Sequence, residues 1–104
     1  MDSEYSSKVA EINDEFRRNR HSVTVTRGVQ NLIGLPGLLD EIKKFSDFTQ
    51  DNDPYGEHDF GSLMWDGSKV FWKIDYYDES LMYGEDPLSP KCRRILTVML
   101  ASEY

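Results

Sequence analysis

The sequence contains little that would crosslink the chain or anchor it in a membrane. Cys92 is its single cysteine, which excludes an intramolecular disulfide and a cysteine-based metal cluster. No run of about 18 apolar residues occurs, so no membrane-spanning helix is expected. Residues 1–4 are acidic where a signal peptide would be basic. These absences predict a cytoplasmic protein.

Positive charge is also scarce. The 104 residues carry 12 lysines and arginines against 19 acids, which gives a net charge of −7. Such a charge repels nucleic acid and anionic lipid, so neither is expected as a direct partner. It favours basic partners, including proteins whose own surfaces hold nucleic acid.

The acidity is concentrated in residues 51–87. This segment contains ten acids and only two basic residues, Lys69 and Lys73, so its net charge is −8. The rest of the chain has a net charge of +1. Eight aromatic residues are interleaved with these acids. A local negative field with aromatic faces is the feature that most directly predicts what the protein contacts.

The length favours a single domain over residues 1–104. Val9, Ile12 and Phe16 recur at helical spacing and predict a helix over residues 3–19. Asp14 stands one turn before Arg18 and is expected to pair with it. Because the remaining side chains of this helix are polar, we expect it to attach loosely to the domain.

Two further elements are predicted before residue 50. The alternation of β-branched residues predicts a short strand within 21–26. Gly28 and Gly34 mark bends or loop positions. Pro36 suits the first turn of a second helix, which is expected to end near Phe48.

Residues 57–77 predict a β-hairpin with its tip at residues 66–67. The loop length decides which side chains face the core, because one step of register moves every side chain to the other face. A three-residue loop pairs Met64 with Val70 and gives an apolar inner face, so this register is preferred. A two-residue loop would move Asp59 into the core.

The preferred register also assigns the outer face of the hairpin. It places Asp59 opposite Asp75, where like charges repel each other across the strands. Four apolar side chains share that face, either under a helix or exposed: Leu63, Trp65, Phe71 and Tyr77.

The last segment predicts a third helix. Ser89 and Pro90 are suited to cap and open it. Its inward-facing residues would be Cys92, Ile95, Leu96, Met99 and Leu100. Together these elements predict an α+β domain, in which a small antiparallel sheet carries about three helices packed mainly on one face.

Residues 51–59 collect four carboxylates and His58. They partly match a calcium-binding loop, but Ser62 stands where the bidentate glutamate is required. On a strand, His58 and Asp59 would point to opposite faces, and no nucleophile accompanies them. We therefore expect no metal, cofactor or catalytic set, and no enzyme. A metal-dependent hydrolase centred on Asp51–Asp59 stays open as an alternative.

Four segments carry a resemblance to a known family: PGLLDEI at 36–42, DNDPYGEHDFG at 51–61, FWKIDYYD at 71–78 and RILTVMLASEY at 94–104. The chain resembles small bacterial proteins that are grouped as a domain of unknown function and are often carried on plasmids and prophages. The resemblance implies no activity, since that family has no established catalytic residues. Its mobile-element setting implies inhibitors of host defence, such as anti-CRISPR or antirestriction proteins.

The charge and the resemblance together predict a non-enzymatic acidic inhibitor of the DNA-mimic type. It would bind a basic nucleic-acid-binding surface of a host-defence effector, in the first place a CRISPR effector complex. A toxin–antitoxin or housekeeping interaction module that uses the aromatic residues 71–77 is a further alternative. Asp66 is assigned to the hairpin turn. The predicted partner-binding acids are Asp51, Asp53, Glu57, Asp59, Asp75, Asp78, Glu79, Glu85 and Asp86.

Overall fold

The structure is a computed structural model that describes residues 3–19 and 23–104. Along these residues the elements are α1 (Ser3–Asn19), β1 (Thr24–Val25), α2 (Arg27–Gln30), α3 (Leu35–Lys44), β2 (Phe60–Trp65), β3 (Ser68–Tyr77), β4 (Arg93–Leu100) and a terminal 3-10 helix (Ala101–Glu103). The strands form one sheet in the order β1-β4-β3-β2. β1 joins β4 in parallel and the other pairs are antiparallel. The predicted α+β class is confirmed, with a mixed sheet.

The core lies between one face of the sheet and the helices. Alternate residues of β3 and β4 point to this face, because successive strand side chains point in opposite directions. The buried cluster comprises Val29, Leu38, Ile42, Val70, Trp72, Ile74, Leu96 and Val98. Removing these apolar side chains from water is the main force that holds the layers together. No helix of the described ranges is long and apolar enough to cross a membrane.

α1 confirms the helix predicted over residues 3–19. Val9 is buried, Phe16 packs against the core, and Ile12 remains 39% exposed. Two further anchors of the helix are polar: Asn13 and Arg17, which are almost completely buried. Apolar periodicity does not reveal such polar anchors.

Arg17 joins α1 to the carboxyl end of α3. Its Nε donates to the carbonyl of Ile42 at 3.0 Å and its Nη2 to that of Phe45 at 2.9 Å. Carbonyls at a helix end lack their regular partners and attract a cation. The Nη1 of Arg17 also binds Asp14 at 3.1 Å. Asp14 therefore pairs with Arg17 and not with the predicted Arg18.

Residues 24–30 contain β1 and the short helix α2. β1 confirms the strand predicted within 21–26, of which residues 21–22 lie outside the described part. Gly28 falls inside α2 instead of at a bend. Its N–H donates to Glu103 at 3.1 Å, and the hydroxyl of Thr26 donates to the same carboxylate at 2.6 Å. This carboxylate ties the 3-10 helix to the start of α2.

α3 confirms the helix predicted at Pro36 but is shorter than expected. Gly34 precedes it with a φ of 76°, which confirms the predicted bend. The helix ends before Phe45, whose ψ of 129° is extended, and does not reach Phe48. Both phenylalanine rings instead contact Trp72 edge-on, with centroids 5.4 and 6.1 Å away. These contacts with Trp72 require both rings to leave the helix, which explains why α3 ends before Phe45.

The β2–β3 hairpin has a two-residue loop, so the predicted three-residue loop is wrong. Leu63, and not Met64, pairs with Val70. Asp66 and Gly67 have φ values of 51° and 75°, as a two-residue hairpin turn of the primed type requires. The loss of the predicted apolar pair leaves Met64 64% exposed.

The observed register exchanges the two faces of β2. Leu63 and Trp65 pack against the core, contrary to the prediction that they lie outside. Phe71 and Tyr77 lie on the outer face, as predicted. Asp59 moves to the inner side, as the rejected register implied. Its carbonyl accepts the N–H of Ile74 at 2.9 Å, and it does not face Asp75.

The predicted third helix is wrong, because residues 93–100 form β4. Leu96 and Val98 are buried with a period of two, and Ile95 and Thr97 alternate with them. β-branched side chains at three of these four positions fit a pleated surface better than a helix. The N–H of Cys92 bonds to the carbonyl of Ser89 at 3.0 Å, so the predicted helix cap lies in a turn.

Candidate functional site

The nine predicted acids lie in three places. Asp51, Asp53, Glu57 and Asp59 precede β2, Asp78, Glu79, Glu85 and Asp86 follow β3, and Asp75 lies within β3. The start of β2 and the end of β3 meet at one end of the sheet, because these strands are antiparallel. Residues 51–59 and 78–86, named here the acidic loops, therefore adjoin each other. Asp75 lies on the outer face and pairs with Lys73 at 3.0 Å.

Asp53, Glu57 and Asp59 lie close enough to repel one another. Burial raises the pKa of Glu57, and the charges of Asp59 and Asp53 raise it further. Burial also raises the pKa of Asp59, against a lowering by the hydrogen bond from Tyr76. Within the described ranges, no lysine or arginine lies within 4.0 Å of these three carboxylates. Their negative charge is thus not cancelled by any lysine or arginine of the described ranges.

A chain of hydrogen bonds connects Asp59 to α1. The hydroxyl of Tyr76 donates to Asp59 at 3.0 Å, and Nδ2 of Asn13 donates to that hydroxyl at 2.8 Å. The Oδ1 of Asn13 accepts the Nε–H of Arg94 at 2.7 Å. Burial raises the pKa of Tyr76, so its hydroxyl stays protonated and donates. The chain fixes α1 beside the acidic loops, with a cation at one end and an anion at the other.

Tyr5 of α1 contacts the second acidic loop. Its hydroxyl donates to Asp86 at 3.1 Å. Burial raises the pKa of Tyr5, and so do the hydrogen bond and charge of Asp86 and the charge of Glu57. Tyr5 thus joins α1 to the second acidic loop.

The second acidic loop is held in shape by Asp78. Its Oδ1 accepts the hydroxyl of Ser80 at 2.6 Å and the N–H groups of Ser80 and Met82 at 3.1 and 3.3 Å. The hydroxyl bond of Ser80 is the main cause that lowers the pKa of Asp78. The loop exposes Met82 and Tyr83, by 71% and 68%. Asp78 therefore serves the loop's structure, while Glu79 beside it is exposed.

Replacing Asp78 by alanine is expected to loosen this loop. The amides of Ser80 and Met82 should then exchange with solvent severalfold faster in hydrogen-exchange NMR. The hydrogen bonds of the loop lower the pKa of Asp78 below its ordinary value of 3.8, so in the wild type these amides should be protected at any pH above 3.8. The protection should disappear as the pH falls below 3.8, where Asp78 becomes protonated. Glu79→Ala is the matched control. Equal exchange in the two variants would contradict the assignment of Asp78.

His58 lies in a cleft between α1 and the first acidic loop. Its ring stacks on Phe48, with centroids 3.8 Å apart and an interplanar angle of 3°. Nδ1 lies 3.0 Å from both carboxylate oxygens of Asp14, and Nε2 lies 3.6 Å from Asp53. The partners of His58 are thus Asp14 and Asp53, and not Asp59. Asp14 is 44 residues away in the sequence, and no local pattern connects the two.

Other chemistry is sparse in the described part of the chain. No group of three or more His, Cys, Asp or Glu side chains there is arranged to hold a metal ion. Cys92 is half-buried beside α1, and its burial raises the pKa of the thiol. A protonated, partly covered thiol is a poor nucleophile.

A family described as a protein of unknown function (DUF3768) matches residues 25–103, from β1 through the 3-10 helix. The chain belongs to this family. The resemblance to a domain of unknown function is therefore confirmed, and the DUF3768 match assigns no activity to any residue. No curated protein and no solved structure matches the chain significantly. Tyr5, Asn13 and Asp14 lie outside the part that matches DUF3768, and they bond to Asp86, Tyr76 and His58 within it.

Proposed function

We propose that the protein is a non-enzymatic inhibitor whose acidic loops bind a basic, nucleic-acid-binding surface of another protein. The observation that carries this proposal is the antiparallel pairing of β2 and β3, which brings both acidic loops to one end of the sheet. Asp51, Glu79 and Asp86 are exposed at this end of the molecule. Arginines and lysines that otherwise hold phosphates would hold these carboxylates instead.

The internal structure of the acidic loops supports a preformed binding surface. Asp53 and Asp78 accept backbone N–H groups of their own loops, and Asp59 accepts the hydroxyl of Tyr76. A surface whose side chains are already ordered loses less conformational entropy on binding. The opposing charges of the two partners would also accelerate their association.

The class of partner follows from the mobile-element setting that the resemblance implies. Small acidic inhibitors in that setting act on host-defence effectors in the cytoplasm, such as a CRISPR effector complex or a restriction enzyme. The acidic loops supply the electrostatic basis for such binding, and the mobile-element setting is itself part of the proposal. The proposal includes no catalytic step.

The test is a charge reversal with a matched control. Asp51 and Glu79 are exposed and belong to different acidic loops, so Asp51→Lys/Glu79→Lys should weaken binding to the purified effector about tenfold or more. Asp40→Lys/Glu41→Lys on α3 changes the net charge equally and should leave binding nearly unchanged. The effector is first isolated from a host lysate on the immobilised protein, and binding is then measured by displacement of fluorescent DNA at two salt concentrations.

The proposal fails if both double variants bind alike, or if the effector retains its DNA when saturated with this protein. Binding that is insensitive to salt would also contradict it, since exposed charges are screened at high ionic strength. Circular dichroism of each variant separates loss of binding from loss of folding.

The outer sheet face supports a second candidate function. Phe60 and Phe71 lie there with ring centroids 5.1 Å apart, and Tyr104 contacts both rings while 76% exposed. Exposed aromatic clusters are typical of protein-binding hot spots. An interaction module that uses this face would lose its partner on Phe71→Ala but not at high salt.

A further inference from the structure

A cleft of about 480 Å³ opens between the amino-terminal half of α1 and the first acidic loop. His58 and Phe48 form one wall as a stacked pair, and Tyr55, 61% exposed, belongs to the rim. Asp53 and Ser6 also line it. Within the described residues, no lysine or arginine lines the cleft. The cleft therefore combines aromatic surfaces with a carboxylate that lacks a permanent cation.

The charge on Asp53 is less compensated than that on Asp14. Arg17 binds Asp14 at 3.1 Å, so Asp14 has a cation of its own. The side chain of Asp53 is only 6% exposed, and its oxygens accept the backbone N–H of His58 at 3.2 and 3.3 Å. Each of these oxygens retains a lone pair for a further donor.

The histidine ring presents a second acceptor to the cleft. A carboxylate only accepts hydrogen bonds, so in neutral His58 we assign the proton to Nδ1, which faces Asp14 at 3.0 Å. The unprotonated Nε2 then faces Asp53 Oδ2 at 3.6 Å. This distance is too long for a strong hydrogen bond, and both atoms are acceptors, so neither can donate to the other. A donor with two N–H groups can satisfy both atoms at once.

Ser6 gives an independent indication of a ligand. Its side chain is 95% buried, lines the cleft, and carries an Oγ without a hydrogen-bond partner in the described part of the chain. Gly56 lies beside Ser6, since a Cβ at Gly56 would be 4.0 Å from the Cβ of Ser6. Buried hydroxyls are normally satisfied, and an unpartnered one at a cleft marks a place for a polar ligand atom.

We propose that this cleft binds the guanidinium group of an arginine side chain. Guanidinium is planar, always charged and rich in N–H donors, and it stacks on aromatic rings. It would donate to Asp53 and His58 and stack against Tyr55, with Ser6 as a further acceptor. Lysine offers a charge but neither the planar face nor the fork of donors. The inference rests on the proposed function, because the arginine would come from the basic partner.

The test uses N-acetyl-arginine amide as the probe and needs no partner protein. In an NMR titration that follows His58 and Gly56, the probe should bind about tenfold more tightly than its uncharged analogue N-acetyl-citrulline amide. Asp53→Asn keeps an oxygen for the N–H of His58 and should weaken probe binding about tenfold. Asp40→Asn on α3 removes the same charge and should leave probe binding unchanged.

Two further variants keep the test independent of folding. Tyr55 is largely exposed, so Tyr55→Ala should leave the melting temperature unchanged yet weaken the probe about threefold. Ser6→Ala removes an unpartnered hydroxyl, so it should not lower the melting temperature, while it too weakens the probe. Equal binding of the citrulline analogue, or equal effects of Asp53→Asn and Asp40→Asn, would overturn the inference.

Failure of the arginine-binding inference is distinguishable from failure of the proposed function. A protein that binds the effector in a salt-sensitive manner but ignores the arginine probe retains the inhibitor proposal and loses the cleft. A protein that binds the probe but displaces no DNA from any effector retains the cleft and loses the inhibitor proposal.

Discussion

Gly61→Ala should destabilise the protein by about 3 kcal/mol, a large part of the 5–15 kcal/mol typical of a domain this size. A Cβ at Gly61 would lie 2.4 Å from Nε1 of Trp72 and 2.6 Å from Cε2, distances that no real contact tolerates. The ring has no room to move, since it is fully buried and contacts Phe45, Phe48 and Arg17. Urea unfolding followed by tryptophan fluorescence measures the loss.

Gly84→Ala is the control for this prediction. The nearest atom to a Cβ at Gly84 is the carbonyl oxygen of Tyr76, 3.9 Å away, so that variant should lose less than about 0.5 kcal/mol. Shortening the indole to a phenyl ring in Gly61→Ala/Trp72→Phe should recover part of the stability, because the two changes act on one contact. Matching unfolding midpoints for Gly61→Ala and Gly84→Ala would show that Gly61 does not support the ring.

Arg17→Ala should cost about 4 kcal/mol, although it removes a charged residue from a helix. The guanidinium is 1% exposed and binds the carbonyls of Ile42 and Phe45 at the end of α3. Its Cζ also lies 4.9 Å from the ring centroid of Trp72. Truncation would leave the carbonyls of Ile42 and Phe45 without this donor and Asp14 without its nearest cation. Thermal and urea unfolding measure this loss.

Arg18→Ala provides the neighbouring control, because Arg18 is exposed and should contribute less than about 0.5 kcal/mol. Arg17→Lys keeps the charge but not the fork of donors, so its stability should lie between those of the wild type and Arg17→Ala. A small, equal effect of Arg17→Ala and Arg18→Ala would mean that α1 is held by its apolar residues alone.

The first helix and the α+β class were predictable because they depend on local patterns. Helical spacing predicted α1, and the paired signals of Pro36 and the apolar stripe predicted α3. The turn residues 66–67 predicted the hairpin. The acidic character of residues 51–86 needs only composition. The pairing of Asp59 with Tyr76 and of His58 with Asp14 had no such local signal.

Residues 89–100 show where local patterns are ambiguous. Ile95, Leu96, Met99 and Leu100 fit a helical stripe as well as a strand, and Ser89–Pro90 resembles a helix start. The sheet decides between helix and strand, because β4 lies between β1 and β3 and pairs with both of them. A backbone that is buried between two strands must form ladder hydrogen bonds, whatever its helical periodicity.

The sequence by itself determined the charge, the elements with strong periodicity and the hairpin turn, because these depend on residues close together in the chain. The tertiary structure alone decided the hairpin register, the identity of β4 and the assembly of the cleft. A single glycine opposite Trp72 favours the two-residue loop, since only glycine leaves room for the indole in that register. Packing of this kind joins residues that are far apart in the sequence, and so neither composition nor periodicity can indicate it.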